Sequence, residues 1–138
     1  MGVPQGSCAS PILAAYFTAP MCKAVEEGTR RRIEAHPELS PIIQAGKATV
    51  APLTLYVDDG SITASAHNRM ITTKLVEIAF IEAHTWLTAR GLKTDQVKNE
   101  LIHFTKSTRG RHSGTGPAAT IPMNNPNEMK TIQPEKVI

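Results

Sequence analysis

A chain of 138 residues is sized for one domain, which excludes a multidomain machine. Apolar residues make up 41% but aromatics only 4%, so any core is small and mostly aliphatic. The net charge of +3, with basic residues recurring at Lys106, Arg109 and Arg111, is compatible with a polyanionic partner and equally with an ordinary solvated surface.

The chain opens on Gly2-Val3-Pro4-Gln5-Gly6-Ser7, a turn-rich stretch with no element ahead of it, which reads as the interior of a larger unit. Ser10-Pro11 predicts a helix start, with Ser10 as N-cap and Pro11 in the first helical position, where a missing N–H is harmless. The helix should run through Ile12 to Phe17, with Pro20 imposing a kink before Val25 and Gly28. From Gly28 to Ala51 the Arg30-Arg31-Arg32 cluster, His36-Pro37, Ser40-Pro41 and Gly46-Lys47 predict a helix end and a mobile connection, with a short strand at Thr49-Val50.

Leu53, Leu55 and Val57 then alternate with Thr54 and Tyr56, the period-two signature of a strand with one buried face. Asp58-Asp59-Gly60 predicts a hairpin turn in which Gly60 frees the backbone, and Ser61 to Ala64 return as the second strand. Such a pair of acids is, on one reading, a surface turn that does no more than accept backbone hydrogen bonds. On the other, a tight turn holds two oxygen donors at a sheet edge, suited to Mg²⁺, which prefers carboxylate and phosphate oxygens. Two such ions between carboxylates and a nucleoside triphosphate would stabilise both oxygens of a phosphoryl transfer.

After the hairpin, Asn68 predicts the N-cap of a long helix ending near Arg90. Ile71, Leu75, Ile78 and Trp86 fall on one face, widened by Val76, Phe80, Ala83 and Leu87, so the helix should lie on a sheet. Gly91 supplies its C-terminal cap and Leu92 folds back on the last turn. Leu101 to Phe104 reads as a short strand, with Lys98 and Glu100 just before it. From Thr105 onward Ser, Thr, Gly, Pro and Asn dominate, which predicts mostly loop or disorder, and Thr131 to Ile138 reads as the lead-in to a strand that does not arrive.

Cys8 and Cys22 are too few and too far apart for a CxxC site and point to a reduced compartment. His36, His67, His84, His103 and His112 show no metal-ligand spacing. No apolar run reaches membrane-spanning length and no secretory signal pattern is present, so an intracellular protein, nuclear or cytoplasmic, with no membrane partner is expected.

The order of the pieces is more specific than any one of them. Gly2 to Ser7 opens a helix, Tyr56-Val57-Asp58-Asp59 forms a hairpin, and Trp86-Leu87, Gly91-Leu92, Lys98 and Glu100 lead to an apolar strand. In this the sequence resembles reverse transcriptases, in particular those of non-LTR, LINE-like retrotransposons, over nearly all of its length to about Phe104. The resemblance implies an RNA-directed DNA polymerase, a nucleotidyltransferase using two Mg²⁺ (or Mn²⁺) ions, with RNA template, DNA primer and deoxynucleoside triphosphates as partners. It implies that Gly2, Pro4, Gln5, Gly6 and Ser7 form the loop touching template and incoming nucleotide, with Tyr56 beside the site. It implies that Asp58 is a metal ligand, that Asp59 is its companion acid, and that Lys98 protonates the departing pyrophosphate. The family's Pro-Leu after the serine is replaced here by Cys8-Ala9, which leaves the glycines of the loop intact.

The same resemblance places the first metal-binding Asp on a strand ahead of the Gly2 loop, a position that no residue of this sequence fills, and places the primer grip beyond Ile138. The expected architecture is therefore α+β, an incomplete polymerase palm of order α-β-β-α-β: an antiparallel hairpin with helices packed on one face and the first strand missing. Residues 1–104 would be the partial palm and 105–138 a loop-rich tail. A sheet with that gap leaves edges unpaired, so the chain is expected to be marginally stable and inactive alone. The alternative is a non-catalytic retroelement remnant that is at most a weak nucleic-acid binder. An RNA-templated RNA polymerase shares the metal chemistry but usually carries Gly before the paired acids, where this chain has Val57.

Overall fold

The computed structural model describes residues 9–56, 59–104, 116–125 and 127–137. They form α1 (Ser10–Glu34), α2 (Ser40–Gln44), β1 (Ala48–Tyr56), β2 (Asp59–Ala66), α3 (Arg69–Thr88), β3 (Leu101–His103), β4 (Ala119–Pro122), β5 (Met129–Ile132) and β6 (Pro134–Val137). The fold is α+β, with strands paired two by two as β1–β2, β3–β6 and β4–β5.

Helix α1 begins one residue earlier than expected, with Ala9 in the N-cap position and Pro11 inside the first turn. It does not stop at Gly28. Met21, Val25, Gly28, Thr29 and Ile33 recur at helical spacing and are all buried, so packing against α3 carries the helix past both Pro20 and Gly28. Arg31 and Arg32 then fall in its last turn, where cations complement the dipole. The connection expected after it contains α2, and Leu39 just ahead of α2 is buried among Ile33, Ala48 and Leu75.

The hairpin is longer than its sequence signal. Ala48 pairs with Ala66 at one end and Tyr56 with Asp59 at the other, antiparallel throughout. Between Ala51 and Thr54 the register slips by one residue, a bulge at Pro52, whose nitrogen has no hydrogen for the ladder. Strand alternation sends Ala48, Val50, Leu53, Leu55, Ala64 and Ala66 toward the helices, while Thr49, Thr54, Ser61, Thr63 and Ser65 are exposed on the other side. Two apolar clusters result. Met21, Val25, Ala83 and Trp86 receive Leu53, Leu55 and Leu87, whereas Ile33, Leu39, Ala48 and Leu75 receive Val50, Ile71 and Ile78. Both helices thus cover one face of β1–β2.

Helix α3 is capped as expected. The Asn68 side chain accepts the Met70 N–H at 2.8 Å. Gly91 is left-handed at φ 71°, and the Leu92 N–H returns to the Leu87 carbonyl at 3.0 Å.

The tail departs from expectation. Three strands lie where loop was predicted, and the final one does arrive: β6 pairs in parallel with β3. Ala119 and Ile121 are buried, β4 packs on α3, and the Thr120 N–H donates to Glu77 Oε1 at 2.7 Å. Apolar residues alternating within a polar composition were enough for a strand once a helix face was there to cover them. No helix among the described residues is long and apolar enough to cross a membrane.

Candidate functional site

The register of the hairpin decides where its acids lie. Because Tyr56 pairs with Asp59 and Leu55 with Gly60, Asp59 is the first residue of β2 rather than part of the turn. Gly60 is also a strand residue without a left-handed φ. A Cβ there would sit 3.3 Å from both Leu53 Cδ1 and Leu55 Cδ2, so close approach of the leucines, not turn freedom, accounts for the glycine. Val57 and Asp58 lie between the strand ends and outside the described residues, as do Gly2, Pro4, Gln5, Gly6 and Ser7 and the side chain of Tyr56.

Asp59 is exposed and meets no cation among the described residues. It begins the row that continues with Ser61, Thr63 and Ser65 on the face the helices leave open. Behind it, Leu53 and Leu55 join the cluster of Met21, Val25 and Trp86, and Phe17 meets the Trp86 ring edge-on at 6.1 Å. The acid end of the hairpin, the N-terminal half of α1 and the C-terminal end of α3 therefore share one end of the molecule. A groove of about 480 Å³ between α1, α2 and the start of β1 lies at the Ala48 end instead.

Lys98 stands in the loop between Gly91 and β3, with its side chain 84% exposed. The ammonium is 3.7 Å from Asp95 Oδ2, one turn back, and the Lys98 N–H reaches the Asp95 carbonyl at 3.3 Å. Arg90, just past α3, lies over the Trp86 ring at 3.8 Å and donates to the Trp86 carbonyl at 3.2 Å.

Among the described residues no group of three or more His, Cys, Asp or Glu is arranged to hold a metal ion. His84 and His103 are buried, His84 stacked on Phe80 and His103 Nε2 at 3.0 Å from the Pro117 carbonyl. No family model, curated protein or solved structure matches the chain. Any functional reading therefore stands on the motifs and their placement. For a hard divalent cation, the donor chemistry of Asp59 fits: an exposed oxygen donor at a strand end, free of a competing cation among the described residues, and next in sequence to a second acid.

Sequence reasoning missed two long-range contacts. One is the pairing of Arg32 with Glu82 across α1 and α3. The other is a set of hydrogen bonds between Thr94 and Asn124. Neither has a local signal, since the partners are 50 and 30 residues apart.

Proposed function

We propose that the chain is part of the palm of a retroelement RNA-directed DNA polymerase, acting in template-directed nucleotidyl transfer. The observation that carries this reading is the antiparallel hairpin. Tyr56 and Asp59 pair across its end, with both helices behind it and Asp59 on the open side. A polymerase needs its acids at such an edge, where a nucleic acid and a nucleotide can reach them without unfolding the core.

In this reading Asp58 and Asp59 would hold Mg²⁺ or Mn²⁺, which would supply charge stabilisation for attack of the primer 3′ hydroxyl on the α-phosphorus, its proton passing to solvent, and for departure of pyrophosphate. Gln5 and Gly6 contact template and nucleotide. Lys98, exposed and carried on the turn that starts at Asp95, meets the departing pyrophosphate as a proton donor. The aliphatic wall of Leu53 and Leu55 against Trp86 fixes the strand end from behind.

The test is metal-dependent binding of a fluorescent deoxynucleoside triphosphate, comparing the native chain with Asp58→Asn and Asp59→Asn. Removing an acid makes the surface more attractive to a triphosphate when no metal is involved. A loss of affinity of about tenfold with Mn²⁺ present, with no loss in chelator, is the expected result. Equal or tighter binding by both variants under both conditions contradicts the proposal.

A further inference from the structure

Lys98 and Asp59 belong to separate elements, and something must keep them in register if both serve one reaction. Helix α3 is their shared frame. Its C-terminal end packs against Leu53 and Leu55 of the Asp59 hairpin, and Gly91 then turns the chain into the Lys98 loop. Beyond that cap the loop supports itself poorly. The Asp95 side chain accepts the Val97 N–H at 3.2 Å, and the Lys98 N–H closes on the Asp95 carbonyl, which makes one small turn of Asp95 to Lys98. Gln96 Nε2 and Asn99 Nδ2 are shielded from solvent with no acceptor, so these two donors add no bond that fastens it.

The fastening comes from the tail. Asn124 Oδ1 accepts the Thr94 N–H at 3.2 Å and the Thr94 hydroxyl at 3.4 Å, while Asn124 Nδ2 donates to the Thr94 carbonyl at 2.9 Å. One side-chain amide thus satisfies both backbone groups of Thr94, as a neighbouring strand would. Asn124 is itself held firmly. It follows β4, which is anchored on α3 by Ala119, Ile121 and the Thr120 to Glu77 bond. The Met123 N–H also closes the β4–β5 connection on the Glu128 carbonyl at 2.8 Å. From the same hairpin, Lys130 Nζ reaches the Gln96 carbonyl at 3.5 Å.

We infer that Asn124 is a positioning residue for Lys98: its amide clamps Thr94 and so fixes the turn that carries the ammonium relative to α3 and the Asp59 hairpin. The role of Lys98 rests on the polymerase reading, whereas the clamp stands on geometry alone.

Amide hydrogen exchange on the whole chain separates the two. In Asn124→Leu, which keeps a γ-branched side chain and removes the donor and acceptor, the Thr94 and Lys98 amides are expected to exchange about tenfold faster or more. Leu75, Ala79 and Ala83 in α3 should keep their native rates, which shows that the fold survives. Asn124→Asp retains the acceptor and should keep part of the Thr94 protection. Asn125→Ala, beside it but bonded to Glu128, should change nothing at Thr94. Unchanged exchange at Thr94 in Asn124→Leu, an equal effect from Asn125→Ala, or uniform acceleration through α3 overturns the clamp. A second readout is the shift of the Lys98 side-chain signals on adding magnesium pyrophosphate, expected in the native chain and weakened about fivefold in affinity by Asn124→Leu. A native chain whose Lys98 ignores pyrophosphate contradicts the polymerase reading and leaves the exchange rates to decide the clamp.

Discussion

Gly28 sits mid-helix, where glycine costs about 1 kcal/mol relative to alanine. The reason lies across the interface: a Cβ at Gly28 would run into the Glu82 carboxylate, which pairs with Arg32. Glu82 is the end of a flexible chain and Arg32 is half exposed, so the pair is worth little, on the order of 0–1 kcal/mol. Gly28→Ala should therefore leave urea stability within about 1 kcal/mol of native, because the helix gain offsets the displaced pair. In a Glu82→Ala background the same change should stabilise by about 1 kcal/mol. A large loss in both backgrounds would show that backbone, not the Glu82 side chain, fills that space. Gly60 is the opposite case, since its neighbours are branched leucine ends packed in the core. Gly60→Val should destabilise by about 1–3 kcal/mol in urea titrations. Both glycines read in sequence as breaks, one ending a helix and one freeing a turn, because a lone glycine carries no record of the side chain that excludes a Cβ.

At the scale of elements, the legible parts were those with local chemistry. Asn68, Gly91 and the apolar face of α3 announce start, stop and orientation in consecutive residues, and the structure follows them. Asn68→Ala should cost about 1 kcal/mol by removing the bond to the Met70 N–H, read as a lower urea midpoint with unchanged slope. Pro20 was legible as a helix disruptor, yet α1 continues to Glu34 because Met21, Val25, Thr29 and Ile33 have a partner surface on α3. Pro20→Ala, which restores a missing backbone donor, should stabilise by about 1–3 kcal/mol. No gain would mean that the proline sits where the helix has already adapted to it. The β3–β6 pairing was illegible for a different reason. Parallel partners far apart in sequence share no turn, so nothing near Leu101 or Pro134 marks the contact.

Across the whole molecule, apolar surface is divided rather than pooled. Among the described residues two modest clusters stand in for one core, three sheets have two strands each, and Ile12, Leu13, Tyr16 and Phe17 form an exposed stripe along the first half of α1. Small two-stranded units depend on what covers them, so thermal unfolding should be broad or centred below about 45 °C. A sharp transition well above that would contradict the marginal stability expected from the sequence. The order of helix, hairpin, helix and strand was readable because each carries its own periodicity. The candidate site was readable only as a motif, since the contacts around it, Leu53 and Leu55 on the end of α3 and Asn124 on Thr94, join residues far apart in sequence.

In the polymerase proposal, the acids at the head of the hairpin bind divalent cations. Paramagnetic broadening by trace Mn²⁺ tests this residue by residue. The backbone signals of Tyr56, Asp59 and Gly60 should broaden first, those of Ala48 and Ala66 at the far end of the hairpin should persist, and Asp58→Asn with Asp59→Asn should abolish the effect. Broadening centred on other carboxylates, such as Glu26 and Glu34 beside the α1–α2 groove, with the hairpin head untouched, would contradict it.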